Sequence, residues 1–265
     1  MKRTKYILLT LAIIFTLTSC EEVIEIDLNS SNPVLVVEAK LYKDSLATVL
    51  LTKTANYFSL DTPEAIENAT VTITADGIVS EELLYLGRGI YSGKTMRGTE
   101  GVNYDIEILW EEEEYKGSAF LPKQVEIVSL DIVEFEPPVP MPHPLVFRQA
   151  EITFLDDPET EDFYMLRYVQ NGLPLLGSFF TFPDITFSDT IRLANPQLSF
   201  ELDDLVEVQV FSIDEPMSLF FSQLSQALGG GMAMSSTPYN PTSNIKGAMG
   251  YFAAWSYVSD TVRVN

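Results

Sequence analysis

Cys20, the single cysteine of the chain, follows Leu17, Thr18 and Ser19. A leucine, two small residues and a cysteine is the order at which a bacterial lipoprotein signal peptidase cuts, once the thiol carries a diacylglyceryl group. The residues upstream suit that reaction. Lys2, Arg3 and Lys5 make a positive start, and Tyr6 to Leu17 is an apolar run of signal-peptide length, too short to span a bilayer. Residues 1–19 are therefore expected to be removed and Cys20 to be acylated at two sites, since several chains anchor stably where one binds marginally. Lipidation consumes the only thiol, leaving neither a cysteine nucleophile nor an intrachain disulfide.

Other catalytic chemistry is sparse. The single histidine, His143, lies in Glu136 to Pro144, where five prolines in nine residues impose an extended path without the packed surroundings that fix a general base. There is no Gly-x-Ser-x-Gly elbow and no His-Glu-x-x-His helix. The 38 acidic residues could supply a carboxylate pair for glycoside hydrolysis, but spacing selects none. The expectation is a non-enzymatic chain with no cofactor and no assigned metal. One loop has calcium-like composition: Asp156, Asp157, Glu159 and Asp162 between two strands, without the EF-hand spacing. Its other reading, the preferred one, is a solvated turn, as Glu111 to Glu114 is read.

Two further groups suggest recognition rather than catalysis. The segment Gly229 to Pro241 combines glycines with Met232, Met234, Tyr239 and Asn240, an adaptable surface for a ligand or partner, or else an ordinary connection packed on the last strand. Phe179, Phe180, Phe182 and Phe187 read as core before they read as a binding cage. Behind Cys20, Glu21 and Glu22, with Glu25 and Asp27, are either a signal for export to the cell surface or a solvated tether.

Positioning these groups falls to strands. Net charge is −22, and removing the leader leaves 13 basic against 38 acidic residues. Such a chain repels nucleic acid and meets the membrane only through its lipid. Residues 20–32 form a tether. Within 33–122, strands are expected over Pro33–Tyr42, Ala47–Thr54, Ala69–Thr74, Glu82–Leu86, Gly89–Ser92, Tyr104–Trp110 and Tyr115–Phe120, an immunoglobulin- or transthyretin-like β-sandwich. A connecting strand and proline-rich linker occupy 123–147. A second β-rich domain, 148–265, has strands at Gln149–Leu155, Phe163–Val169, Ser199–Leu202, Leu205–Phe211 and Gly250–Val264. Its one helix spans 216–228, with Leu219, Phe220, Leu224 and Leu228 at helical spacing and Gly229 as the stop. The fold class is mainly β.

Leu35-Val36-Val37-Glu38-Ala39, Tyr57-Phe58, Asn68 to Ile73, Gly89-Ile90-Tyr91, Pro241 to Ile245, Gly247 and Gly250-Tyr251-Phe252 follow the lipobox in an order that resembles a Bacteroidota lipoprotein family, known only as domain-of-unknown-function family 4249. Members are typically encoded beside TonB-dependent outer-membrane receptors. The resemblance implies a lipid-anchored outer-membrane protein, exposed at the cell surface if the acidic signal operates, that helps such a receptor take up a small-molecule or peptide nutrient. It supplies no catalytic residues. The alternative is a structural or adhesive surface lipoprotein.

Overall fold

The computed structural model describes residues 33–55, 62–135, 146–175, 179–184, 189–228 and 240–265. In chain order these carry β1 (Leu35–Tyr42), β2 (Leu46–Lys53), β3 (Thr70–Ala75), β4 (Val79–Glu82), β5 (Leu84–Gly87), β6 (Ile90–Arg97), β7 (Asn103–Trp110), β8 (Glu113–Phe120) and β9 (Ile127–Phe135). Then follow β10 (Phe147–Leu155), β11 (Phe163–Gln170), β12 (Leu173–Pro174), β13 (Phe180–Pro183), β14 (Thr190–Ala194), β15 (Leu205–Ile213), α1 (Glu215–Ala227), β16 (Ile245–Lys246) and β17 (Met249–Arg263). The described residues are mainly β with one helix, and their first half is a β-sandwich.

Alternation builds that sandwich. Val37, Ala39 and Leu41 of β1 and Val49 and Leu51 of β2 point to one side and are fully buried. They face Val71 and Ile73 of β3 and Ile106 and Ile108 of β7 across a shared core. The inner faces therefore belong to two sheets, one ordered β16-β8-β7-β3-β4 and the other a nine-stranded sheet ordered β12-β11-β15-β17-β1-β2-β6-β5, with β13 also on β11. Side chains of period two with one face withdrawn from water are what a two-layer packing requires.

β17 joins this sandwich to the second half. It runs parallel to β1 at one end and antiparallel to β15 along the rest. Phe252 and Ala254 enter the first core, while Val258 and Val262, on the same face farther along, pack on a second core. That core lies between β11 and β15 on one side and a three-stranded sheet, β14-β10-β9, on the other. These elements belong to one compact unit, Pro33–Asn265.

The helix closes the opposite face of the same sheet. Asp214 caps it by accepting from Met217 N–H at 3.1 Å, and its other oxygen accepts from Phe120 N–H at 3.0 Å, tying the helix start to β8. Met217 and Phe220 are buried, with Phe221 and Leu224 beside them. Leu219 and Leu228, grouped with this stripe in the sequence, are instead exposed. The buried stripe is the i, i+3, i+4, i+7 set starting at Met217.

Ser199 to Leu202 is not a strand. Leu198, Phe200 and Leu202 mimic alternation, but Asp203 has φ +71° and the chain turns there. Phe200 N–H donates to Arg148 O instead of joining a ladder, and its buried ring stacks on Tyr168 at 6.4 Å. Glu82–Leu86 is divided between β4 and β5 because Leu83 turns inward and donates its N–H to Val71 O.

Candidate functional site

Among the described residues, the face that α1 covers continues past the helix uncovered. Register places its side chains in ranks: Tyr42 of β1 opposite Trp255 of β17, Tyr257 opposite Phe211 of β15, and Phe211 opposite Met165 of β11, with Gln209 and Arg167 paired next along. Under the helix, Phe221 stacks on Trp255 at 5.9 Å. Beyond it, Phe211 and Tyr257 stack at 5.1 Å with 20° between their planes, and Tyr42 meets Tyr257 edge-on at 5.9 Å. Phe211 is buried, whereas Tyr257 is 45% exposed. Apolar ring area left in water at such a position marks surface available to something else.

A notch in the sheet makes this surface concave. β1 ends at Tyr42 and turns through Lys43, Asp44 and Ser45, while β17 runs on with β15 alone. The turn is fixed by hydrogen bonds from Lys43 N–H to Trp255 O and from Asp44 N–H to Gly98 O. The notch holds a cavity of about 340 Å³ reached by Asp44, Gln124, Arg167, Gln209, Phe211 and Tyr257. A second, of about 150 Å³, adjoins it at Tyr42, Arg167 and Phe211 and runs under the helix side to Phe221 and Trp255. Small-molecule sites fall in the range of roughly 300–1,000 Å³.

Three cations surround the notch, and two are already matched. Lys43 lies 2.9 Å from Glu100, which also accepts from Gln124 N–H at 2.7 Å. Burial opposes ionisation of Glu100, but these hydrogen bonds and the charges of Lys43 and Lys123 outweigh it and hold the carboxyl below its usual value. Lys40 lies 3.5 Å from Glu38 and 5.9 Å above the Tyr251 ring. Arg167 differs. Its Nε is buried with no hydrogen-bond partner, and no carboxylate pairs with it among the described residues. Its charge is felt by Tyr42, whose hydroxyl burial pushes above its ordinary value while Arg167 and Trp255 draw it back. The groups facing the notch can stack a ring, donate to an acceptor and neutralise a negative charge.

Of the residues singled out in the sequence, Phe179 lines the smaller cavity, and the other described ones lie elsewhere. Leu17, Thr18, Ser19, Cys20, Glu21 and Glu22 are outside the described residues, as are His143, Phe187, Met232, Met234 and Tyr239. Asn240 is described and exposed. Phe180 and Phe182 pack on the second core, and Phe179 meets Phe221 edge-on. In the acidic loop Asp157 accepts from Glu159 N–H at 3.1 Å, and Thr160 donates to Asp162 at 2.5 Å, so local turn bonds use these oxygens. Asp156 accepts from the Tyr164 hydroxyl; burial raises its carboxyl, Tyr164 opposes that, and Asp184 and Asp162 add to it. Among the described residues no three acids converge as a metal would need. Arg167, Gln209 and Tyr257 are not singled out by the sequence, because an arginine between Leu166 and Tyr168 or a glutamine between Val208 and Val210 reads as the wet side of a strand until register brings three strands together.

Comparison with known proteins decides the family. Residues 21–261 match the family described as "Domain of unknown function (DUF4249)". The chain belongs to DUF4249. No curated protein matches it. Among solved structures it is similar to the chicken CNTN1 FN1-FN3 domains at 8% identity and a TM-score of 0.25, over 69% of this chain and 60% of that one. Two of the segments by which this DUF4249 chain resembles its family are structural joints. Asn244 donates to Ser118 O and Phe252 O at 2.9 and 2.7 Å and accepts from Phe252 N–H at 2.9 Å, linking β8 to β17. Tyr91 donates to Ile66 O at 3.0 Å and accepts from Ala69 N–H at 3.1 Å, fastening the chain ahead of β3.

Proposed function

We propose that this DUF4249 protein is a lipid-anchored, non-enzymatic outer-membrane lipoprotein that binds a nutrient ligand and serves as accessory partner to a TonB-dependent receptor. The observation that carries the binding role is the notch beside α1, where Tyr257 is open to solvent and Arg167 has no carboxylate partner among the described residues. Rigid strands place these groups, and a rigid platform lowers the ordering cost of binding. The anchor rests on Cys20 and the leader before it. The receptor partnership rests on what the family resemblance implies.

The test is an affinity pull-down of the tagged lipoprotein from detergent-solubilised outer membranes, with mass spectrometry of what is retained. A receptor barrel in stoichiometric amount supports the accessory role. A lipoprotein without a receptor moves the reading to an adhesive or structural protein, which deletion would show as unchanged growth on defined nutrients. Metabolic labelling with radiolabelled palmitate is expected to mark the wild-type chain and not Cys20→Ser, whose leader stays uncleaved, and a wild-type chain that takes up no label would exclude the lipid anchor.

A further inference from the structure

The notch is specific about charge as well as shape. Arg167 lines the cavity, and no carboxylate pairs with it among the described residues. The planar guanidinium matches a carboxylate with two parallel hydrogen bonds. Next to it, Phe211 and Tyr257 lie within 20° of parallel, so a flat body laid on the open Tyr257 ring continues an existing stack. Gln124 and Gln209 border the cavity with neutral amides, and among the described residues its only lining carboxylate is Asp44, exposed on the turn. Lys43, the other lining cation, is already neutralised by Glu100.

We infer that the notch binds a small organic anion, a carboxylate carried on a flat aromatic body, with Arg167 pairing the carboxylate and Tyr257 stacking the ring. This rests on the binding role proposed above and adds the ligand class. The net charge of −22 gives no long-range attraction for an anion, so selection occurs at contact, through the guanidinium.

The experiment is isothermal titration of the full detergent-solubilised lipoprotein with 2-naphthoate and with 2-naphthamide, its neutral counterpart. The acid is expected to bind about tenfold or more tightly than the amide, the worth of a hydrogen-bonded charge. Arg167→Gln is to abolish that difference, and Arg167→Lys, which keeps the charge without the planar fork, is to fall between the two. Asp44→Asn changes only an exposed turn that tolerates asparagine, and is to strengthen naphthoate binding about two- to fivefold by removing a like charge. Equal binding of acid and amide, no binding of either, or indifference to both Arg167→Gln and Asp44→Asn overturns the ligand class. The pull-down scored on the same preparation separates the failures. A retained receptor without naphthoate binding overturns the ligand class and leaves the accessory role standing, whereas Arg167-dependent binding without a receptor upholds the ligand class and removes the partnership.

Discussion

At the scale of single residues the second half of the sheet depends on a glycine. Gly250 has φ +94°, and a Cβ there would sit 2.0 Å from Val37 O in the parallel neighbour β1. Neither the left-handed backbone nor the facing carbonyl can yield without losing the β1–β17 register that places Tyr251 and Trp255. Gly250→Ala is expected to cost about 3 kcal/mol or more, read as a fall in the urea midpoint. Glu81 gives a second test, through pH. Its carboxylate, on β4, accepts from Thr95 Oγ1 at 2.7 Å and from the N–H groups of Lys94, Thr95 and Met96 on β6, bracing the edge strand of one sheet against the strand next to the edge of the other. Burial works against its ionisation, but these hydrogen bonds prevail and hold it below its ordinary 4.5. A carboxylate held below its unfolded value stabilises the fold above that value, and the contribution disappears as pH falls through the folded one. Glu81→Gln is therefore expected to flatten the loss of stability below pH 4.5 and, since the nest is half-exposed, to cost only about 1 kcal/mol at neutral pH.

At the scale of elements, the hairpin of β7 and β8 has its register fixed by alternation rather than by its turn. Tyr104, Ile106, Ile108 and Trp110 are buried on one side, and Trp110 pairs with Glu113, leaving Glu111 and Glu112 as the two loop residues. Their φ angles are +49° and +67°, the signs a type I′ turn requires, and glutamate is poorly suited to both. Replacing the pair by Asn-Gly is expected to raise stability by about 1 kcal/mol in thermal or urea unfolding, and an unchanged midpoint would show that the turn carries no strain. This hairpin was legible in the sequence because one face is wet and the other dry. β13 and β14 were not: Phe180 and Phe182 are both half-buried and adjoin Pro183, so no alternation announces them. The helix was legible in extent, through Pro216 and the apolar spacing, but not in rotation. Its buried face follows from Asp214 bonding to β8 and from the rings waiting on β17, and neither lies in the helical segment.

At the scale of the whole molecule, the site was hidden for the same reason that the two halves belong together. Arg167, Phe211 and Tyr257 are more than forty positions apart between the first two and again between the last two, and become neighbours only through the β11-β15-β17 order. That order is set by β17, about 50 Å long at the usual strand rise, whose one face supplies Phe252 and Ala254 to the first core and Val258 and Val262 to the second. Its other face supplies Tyr251 and Trp255 to the core under α1. Removing β17 would therefore expose apolar surface in all three cores at once, and neither half retains a complete inner layer without it. Coupling of that extent predicts that residues 33–265 unfold as one cooperative unit, with equal calorimetric and van't Hoff enthalpies in scanning calorimetry. Two resolved transitions would instead mean that the sandwich keeps its fold after β15 and β11 have separated from the far end of β17. Gly250→Ala distinguishes these cases further: in a single unit it lowers the whole transition, and with independent halves it lowers one and leaves the other in place.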